Sequence, residues 1–183
     1  MSDARRVAVL ISSRGSNMRA LIEQADGYSI VLVAGPAVHA PGLDVARSLG
    51  VPTFAYEAKR EEFEAALQRS LDDNCVGTIA LAGFMRILSA AFIARWRGRI
   101  LNIHPSLLPK YKGLDTHNRA LAAGDAKTGC TVHLVSEELD SGDVLAQAEV
   151  PIEPGDDAAG LAARVLNAEH ALYPKALSEF VRR

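Results

Sequence analysis

Cysteine is scarce: the 183 residues hold two, Cys75 and Cys130, with no CxxC spacing and no disulfide framework. Free thiols fit a reducing compartment, so a cytoplasmic protein is expected. Long apolar runs are missing as well. None approaches the roughly 20 residues of a membrane span. Val7-Ala8-Val9-Leu10-Ile11, after Arg5 and Arg6, is too short for a signal h-region and lacks a cleavage site. No membrane partner is expected. An excess of one charge is also lacking. A net charge of -2 gives no bulk attraction to nucleic acid or anionic lipid, which leaves a small molecule or a protein as the default partner. The chain has no Gly-Lys-Ser/Thr of a Walker loop and no GxGxxG dinucleotide fingerprint. It has no HxH, HExxH or His/Cys cluster, so no metal is expected. It has no GxSxG, which counts against a serine hydrolase. No repeat, linker or low-complexity segment interrupts it.

What is present suits one domain over residues 1–183 with a real core: 49% hydrophobic and 23% charged. Short apolar runs alternate with helical patterns. Val7 to Ser12, Ile30 to Ala34, Pro52 to Tyr56, Thr78 to Ala82 and Ile100 to His104 read as strands. Helices are expected to about Ala25, over Gly42 to Leu49, over Lys59 to Leu71, and from about Ser89 to Trp96. In the third of these, Phe63, Leu67 and Leu71 recur at helical spacing among charges. Gly129 to Val135 and Asp143 to Val150 resemble an antiparallel pair. Asp156 to Val181 reads as one long helix that Pro174 is expected to kink or divide. The pattern implies an α/β, Rossmann-like open sheet. It is mostly parallel, with an antiparallel edge pair near the C-terminal third and helices on both faces.

Ser12-Ser13-Arg14-Gly15-Ser16-Asn17 links the first strand to the first helix. Free N–H groups at a helix N-terminus favour an anion. A single glycine suits a monophosphate better than a pyrophosphate. The plainer alternative is that Ser16 simply caps the helix.

The richest segment is Asn102-Ile103-His104-Pro105-Ser106-Leu107-Leu108-Pro109. On a strand, residues 102 and 104 share a face. They put a fixed amide donor beside an imidazole whose charge changes near neutral pH. Two prolines then take the chain out of the sheet. A polar pair at the C-terminal end of a strand is where open α/β folds hold ligands. A carboxylate facing His104 would fix its tautomer and support its protonated form. Asp140 is the best candidate, in a glycine-flanked loop, while Asp143 and Asp115 are rivals on pattern alone. A lone histidine near a strand end is more often structural than catalytic, and His117, His133 and His170 carry no local mark that separates them.

The run from Asn102 to Pro109, with Lys110-Tyr111-Lys112-Gly113-Leu114-Asp115-Thr116-His117, resembles the signature of the folate-dependent formyltransferases. So do Gly15-Ser16-Asn17, Ala82-Gly83-Phe84-Met85-Arg86-Ile87-Leu88 and Glu169-His170-Ala171-Leu172-Tyr173-Pro174. The likeness spans nearly the whole chain. It is closest to the branch that formylates glycinamide ribonucleotide in purine synthesis. The resemblance implies 10-formyltetrahydrofolate as co-substrate, without ATP or metal, and leaves monomer or homodimer open. It implies Asn102, His104 and Asp140 as the catalytic trio. It places the ribonucleotide at Gly15, Ser16, Asn17, Gly83, Met85, Pro105 and Glu169. It places the folate at Arg86, Ile87, Leu88, Asn102, Asp140, Ser141, Gly142 and Asp143. The phosphate-binding half is then about 1–99, and the catalytic and folate-binding half about 100–183. Arg86 could pair with the folate's glutamate tail. Met85 and Leu88 could equally be core.

The second strand ends Ala34-Gly35-Pro36 where the family usually shows Ser-Asn, and Ser141-Gly142-Asp143 follows Asp140 where Gly-Gly-Pro is familiar. Three other readings remain. Methionyl-tRNA formyltransferase adds a C-terminal domain and takes a polyanion, which the length and charge here disfavour. Formyltetrahydrofolate deformylase usually carries an N-terminal regulatory domain, and none fits before Val7. A non-catalytic nucleotide-binding module would need no Asn/His/Asp trio.

Overall fold

Strands that are apolar on both faces need cover on both faces, and the chain supplies it. The computed structural model describes residues 3–183. Its elements run β1 (Asp3–Leu10), α1 (Ser16–Glu23), β2 (Ser29–Gly35), α2 (Pro41–Ser48), β3 (Thr53–Ala55), α3 (Arg60–Asp73), β4 (Val76–Leu81), α4 (Ala90–Arg95) and β5 (Ile100–His104). They continue through α5 (Thr116–Ala122), β6 (Lys127–Leu134), β7 (Val144–Pro151) and α6 (Ala158–Val181). One open sheet has the order β3-β2-β1-β4-β5-β6-β7. β1 to β5 pair in parallel, whereas β5–β6 and β6–β7 pair antiparallel. This is the mostly parallel α/β sheet, with an antiparallel edge, that the alternating pattern implies.

The side chains of each strand split between two cores. On β1, Val7 and Val9 pack with α1, α2 and α6, while Ala8 and Leu10 pack with α3 and α4. β5 divides the same way: Leu101 and Ile103 join the first core and Ile100 the second. Asn102 and His104 therefore lie on the α3/α4 side. The periodic residues Phe63, Leu67 and Leu71 of α3 are at most 1% exposed, and each such burial contributes about 1.5–3 kcal/mol.

Pro174 does not divide α6, which runs unbroken from Ala158 to Val181. Proline removes the bond to the carbonyl four residues earlier, which here belongs to His170. That carbonyl accepts instead from Gln24 Nε2 at 3.3 Å, so the lost partner is replaced from α1. α5 is an element the hydrophobic pattern does not announce. Its seven residues bury only Thr116 and Ala120.

The strand order reverses between β1 and β4, which is where open α/β sheets hold ligands. The loops leaving these two strands are tied together. Ser12 N–H donates to the Gly83 carbonyl at 3.2 Å, and Met85 N–H donates to Ser12 Oγ at 2.8 Å.

Candidate active site

Asn102 and His133 are direct partners across the antiparallel β5–β6 ladder, and His104 faces Thr131. Side chains opposite one another on such a pair touch. Asn102 Nδ2 lies 3.2 Å from His133 Nε2. His104 Nε2 lies 2.9 Å from the Tyr111 carbonyl oxygen. A carbonyl only accepts, so Nε2 of His104 carries a hydrogen. His104 Nδ1 faces Asp140 Oδ2 at 3.4 Å, with the two side chains 7% and 8% exposed.

The β6–β7 connection folds back over the strands to deliver Asp140. Its backbone is left-handed, with φ 48°, and its Oδ2 accepts from Gly113 N–H at 2.8 Å. Oδ1 stands 3.6 Å from His133 Nε2. Asp140 thus lies between two imidazoles. Gly142 permits the fold-back: a Cβ there would sit 1.8 Å from the Leu134 carbonyl oxygen. Of the three carboxylates open on pattern, Asp140 meets His104. Asp115 bonds Asn118, and Asp143 is exposed. Ser141 Oγ accepts from Lys112 Nζ, which ties this loop to the segment after Pro109. That segment is itself anchored, with Tyr111 Oη donating to Asp125 Oδ2 at 2.7 Å.

A second cluster forms where α1 meets α6. Gly15 is buried in the left-handed conformation at φ 72°, and a Cβ would meet Met18 Cε at 2.9 Å and Gly42 Cα at 3.3 Å. Gly15, not Ser16, is the N-cap, and no side chain caps the helix. The plain capping role for Ser16 is therefore set aside, and Ser16 is exposed. Asn17 Nδ2 donates to Glu169 Oε2 at 2.6 Å. Both residues are buried, and Asn17 Oδ1 has no partner within the protein. Burial pushes the Glu169 carboxyl above its ordinary range, and the Asn17 bond only partly opposes this.

The 82–88 segment divides. Met85 is 67% and Ile87 73% exposed, whereas Leu88 is buried in the core with α3 and α4. Met85 is therefore not a core residue, and any ligand contact at Leu88 falls to its backbone. Arg86 donates to the Ala58 carbonyl at 2.9 Å and lies 5.4 Å over the Phe63 ring. Its side chain is committed to these partners. Gly83 is exposed with φ 71°, and Pro105 is half-buried beside His104. At the departure from the family pattern, a Cβ on Gly35 would lie 2.5 Å from the Ile11 carbonyl oxygen, so this chain's backbone is packed there for glycine.

Sequence reasoning missed His133 and the Tyr111 carbonyl. Only the strand register reveals the first, and a backbone atom leaves no mark in a side-chain pattern. Among the described residues, no group of three or more His, Cys, Asp or Glu is placed to hold a metal ion. None of the described helices is long and apolar enough to cross a membrane.

Residues 5–177 match the family described as Formyl transferase. The chain is 47% identical over 187 residues to the trifunctional purine biosynthetic protein adenosine-3 of Drosophila melanogaster. That match covers 97% of this chain but 14% of the fly protein. It is 44% identical to phosphoribosylglycinamide formyltransferase of Escherichia coli K12, covering 95% of this chain and 86% of that protein. Among solved structures, phosphoribosylglycinamide formyltransferase from Brucella melitensis aligns with a TM-score of 0.93 at 50% identity, covering 98% and 96% of the two chains.

Proposed function

The chain belongs to the formyl transferase family, and from that premise we propose that it moves a formyl group from 10-formyltetrahydrofolate to the amine of glycinamide ribonucleotide. The step belongs to purine synthesis, and the setting is the cytoplasm. The observation that carries this reading is the convergence of Asn102, His104 and Asp140 on β5 and its covering loop, with His104 buried and the other two half-buried. The names of the Escherichia coli and Brucella relatives support the choice of substrate.

The folate supplies the formyl carbon, and the chain's residues do the rest. Asn102 Nδ2 spends one N–H on His133 and keeps the other for the negative charge that develops on the formyl oxygen. His104 adds a second donor when its Nε2–H turns from the Tyr111 carbonyl to that oxygen. Each such donor is worth on the order of 3 kcal/mol of transition-state stabilisation. Asp140, facing Nδ1, orients the His104 ring and takes part in moving the proton off the attacking amine. The loop at Gly15, Ser16 and Asn17 offers its backbone N–H groups to the ribonucleotide phosphate. Asn17 Oδ1, buried without a partner, and Glu169 suit a ligand hydroxyl. Gly83, Met85 and Pro105 line the slot between the ligands. Arg86, Ile87 and Leu88 flank the folate through backbone groups, and the 140–143 loop closes over its ring system. A glutamate tail would compete with Ala58 and Phe63 for Arg86.

Purified protein mixed with both substrates, without ATP or added metal, should change the folate absorbance, and omitting the ribonucleotide should stop the change. Release of free formate without ribonucleotide, or turnover only with formate and ATP, would overturn the proposal.

A further inference from the structure

His133 is 2% exposed and has no place in the trio. Its Nδ1 lies 2.9 Å from the Leu134 carbonyl oxygen. That oxygen cannot donate, so the hydrogen of this contact belongs to Nδ1. A neutral imidazole has a single ring hydrogen. Nε2 is then a bare acceptor, and Asn102 Nδ2, 3.2 Å away, is its donor. An amide has two faces of opposite character. The alternative orientation, with Asn102 Oδ1 toward Nε2, would need a hydrogen on both ring nitrogens. The titratable groups facing His133 are Asp140 and His104. Asp140 favours a second hydrogen and His104 opposes it, but burial is the largest influence and moves the imidazole toward its neutral form.

We infer that His133 is a positioning residue. As the Nδ1–H tautomer it accepts from Asn102 and fixes the amide with its second N–H free for the reacting oxygen. The inference rests on the formyl-transfer reading for its consequence but not for its geometry. Cross-strand pairing supplies the reason His133 stands there: β5 and β6 place residues 102 and 133 opposite each other. A hydroxyl or amide in this place would have to be oriented by further groups, whereas the Leu134 carbonyl settles the imidazole alone.

Two measurements test it. In the nitrogen-15 NMR spectrum of the wild-type protein near neutral pH, His133 should show a protonated Nδ1 and a bare, hydrogen-bonded Nε2. A protonated Nε2, or an imidazolium, would overturn the inference whether or not the protein turns over. In steady-state kinetics, His133→Leu should lower kcat roughly 10-fold to 100-fold, the scale of a misplaced reacting group, with little change in either KM. His133→Gln, which keeps an acceptor near the Nε2 position, should recover most of the loss. Adding His133→Leu to Asn102→Ala should cost nothing further. Losses that multiply in the double variant, or a change confined to KM, would contradict a role through Asn102. If His133→Leu fails to fold, the glutamine variant and the spectrum still decide. Absence of formyl transfer by the wild type would sink the proposed function and leave the spectrum to judge the tautomer.

Discussion

Asp140 is the residue on which the proposed chemistry turns. It adopts a left-handed backbone at φ 48°, a conformation that costs about 1–2 kcal/mol outside glycine. The Gly113 N–H and the two imidazoles supply contacts that offset it. Asp140→Asn keeps the shape and removes the charge. It should cut kcat by on the order of 100-fold or more while ribonucleotide affinity, read by calorimetry, stays nearly intact. Equal loss of binding would make Asp140 structural. Glu169 offers a test by pH. Its carboxyl is raised by burial from an ordinary value of 4.5, so the folded state prefers the protonated form. The stability this contributes is full below 4.5 and is lost as pH rises through the raised value. Glu169→Gln carries no such charge. Thermal melts of the two proteins should therefore diverge in favour of the variant as pH rises from about 4.5, and level off once pH passes the raised folded-state value. A gap that does not change with pH would contradict buried ionisation at this residue.

At the scale of elements, β5 was legible to the residue because its apolar run ends at His104 and Pro105 breaks it. α3 was legible because Phe63, Leu67 and Leu71 mark a single face. α5 was not, since so short a helix with two buried residues leaves no period to read. The continuity of α6 was hidden as well. The His170 carbonyl that Pro174 leaves without a helical donor accepts from Gln24, at the C-cap of α1, a contact that no local pattern shows. Gln24→Ala should cost about 1 kcal/mol in chemical denaturation, and markedly less in a Pro174→Ala background, where an N–H returns to that carbonyl. Equal costs in both would mean the contact is incidental. The covering loop has its own test in Gly142→Ala. The added Cβ would occupy space 1.8 Å from the Leu134 carbonyl oxygen, so the loop must lift and carry Asp140 with it. Turnover should fall as steeply as in Asp140→Asn, although every trio side chain is retained. Unchanged kcat would show that the loop tolerates another path.

For the molecule as a whole, the sequence pattern implied the sheet but not its internal alignment. The alternation of strands and helices leads to an open α/β fold, and the switch between β1 and β4 then brings the 11–15 and 82–88 loops together. Asn102 and His104 were readable as a pair because period two lies within one strand. That Asp140 and not Asp143 or Asp115 meets His104 depends on how a loop folds back, and His133 depends on register between strands. Neither leaves a local trace. In the proposed reaction this arrangement passes a formyl group between two bound small molecules. Its most direct test follows a carbon-13 label from the formyl group of 10-formyltetrahydrofolate by mass spectrometry of the ribonucleotide. The label should appear as an N-formyl group on glycinamide ribonucleotide in step with folate turnover. Label recovered as free formate, with the ribonucleotide unchanged, would rule out direct formyl transfer.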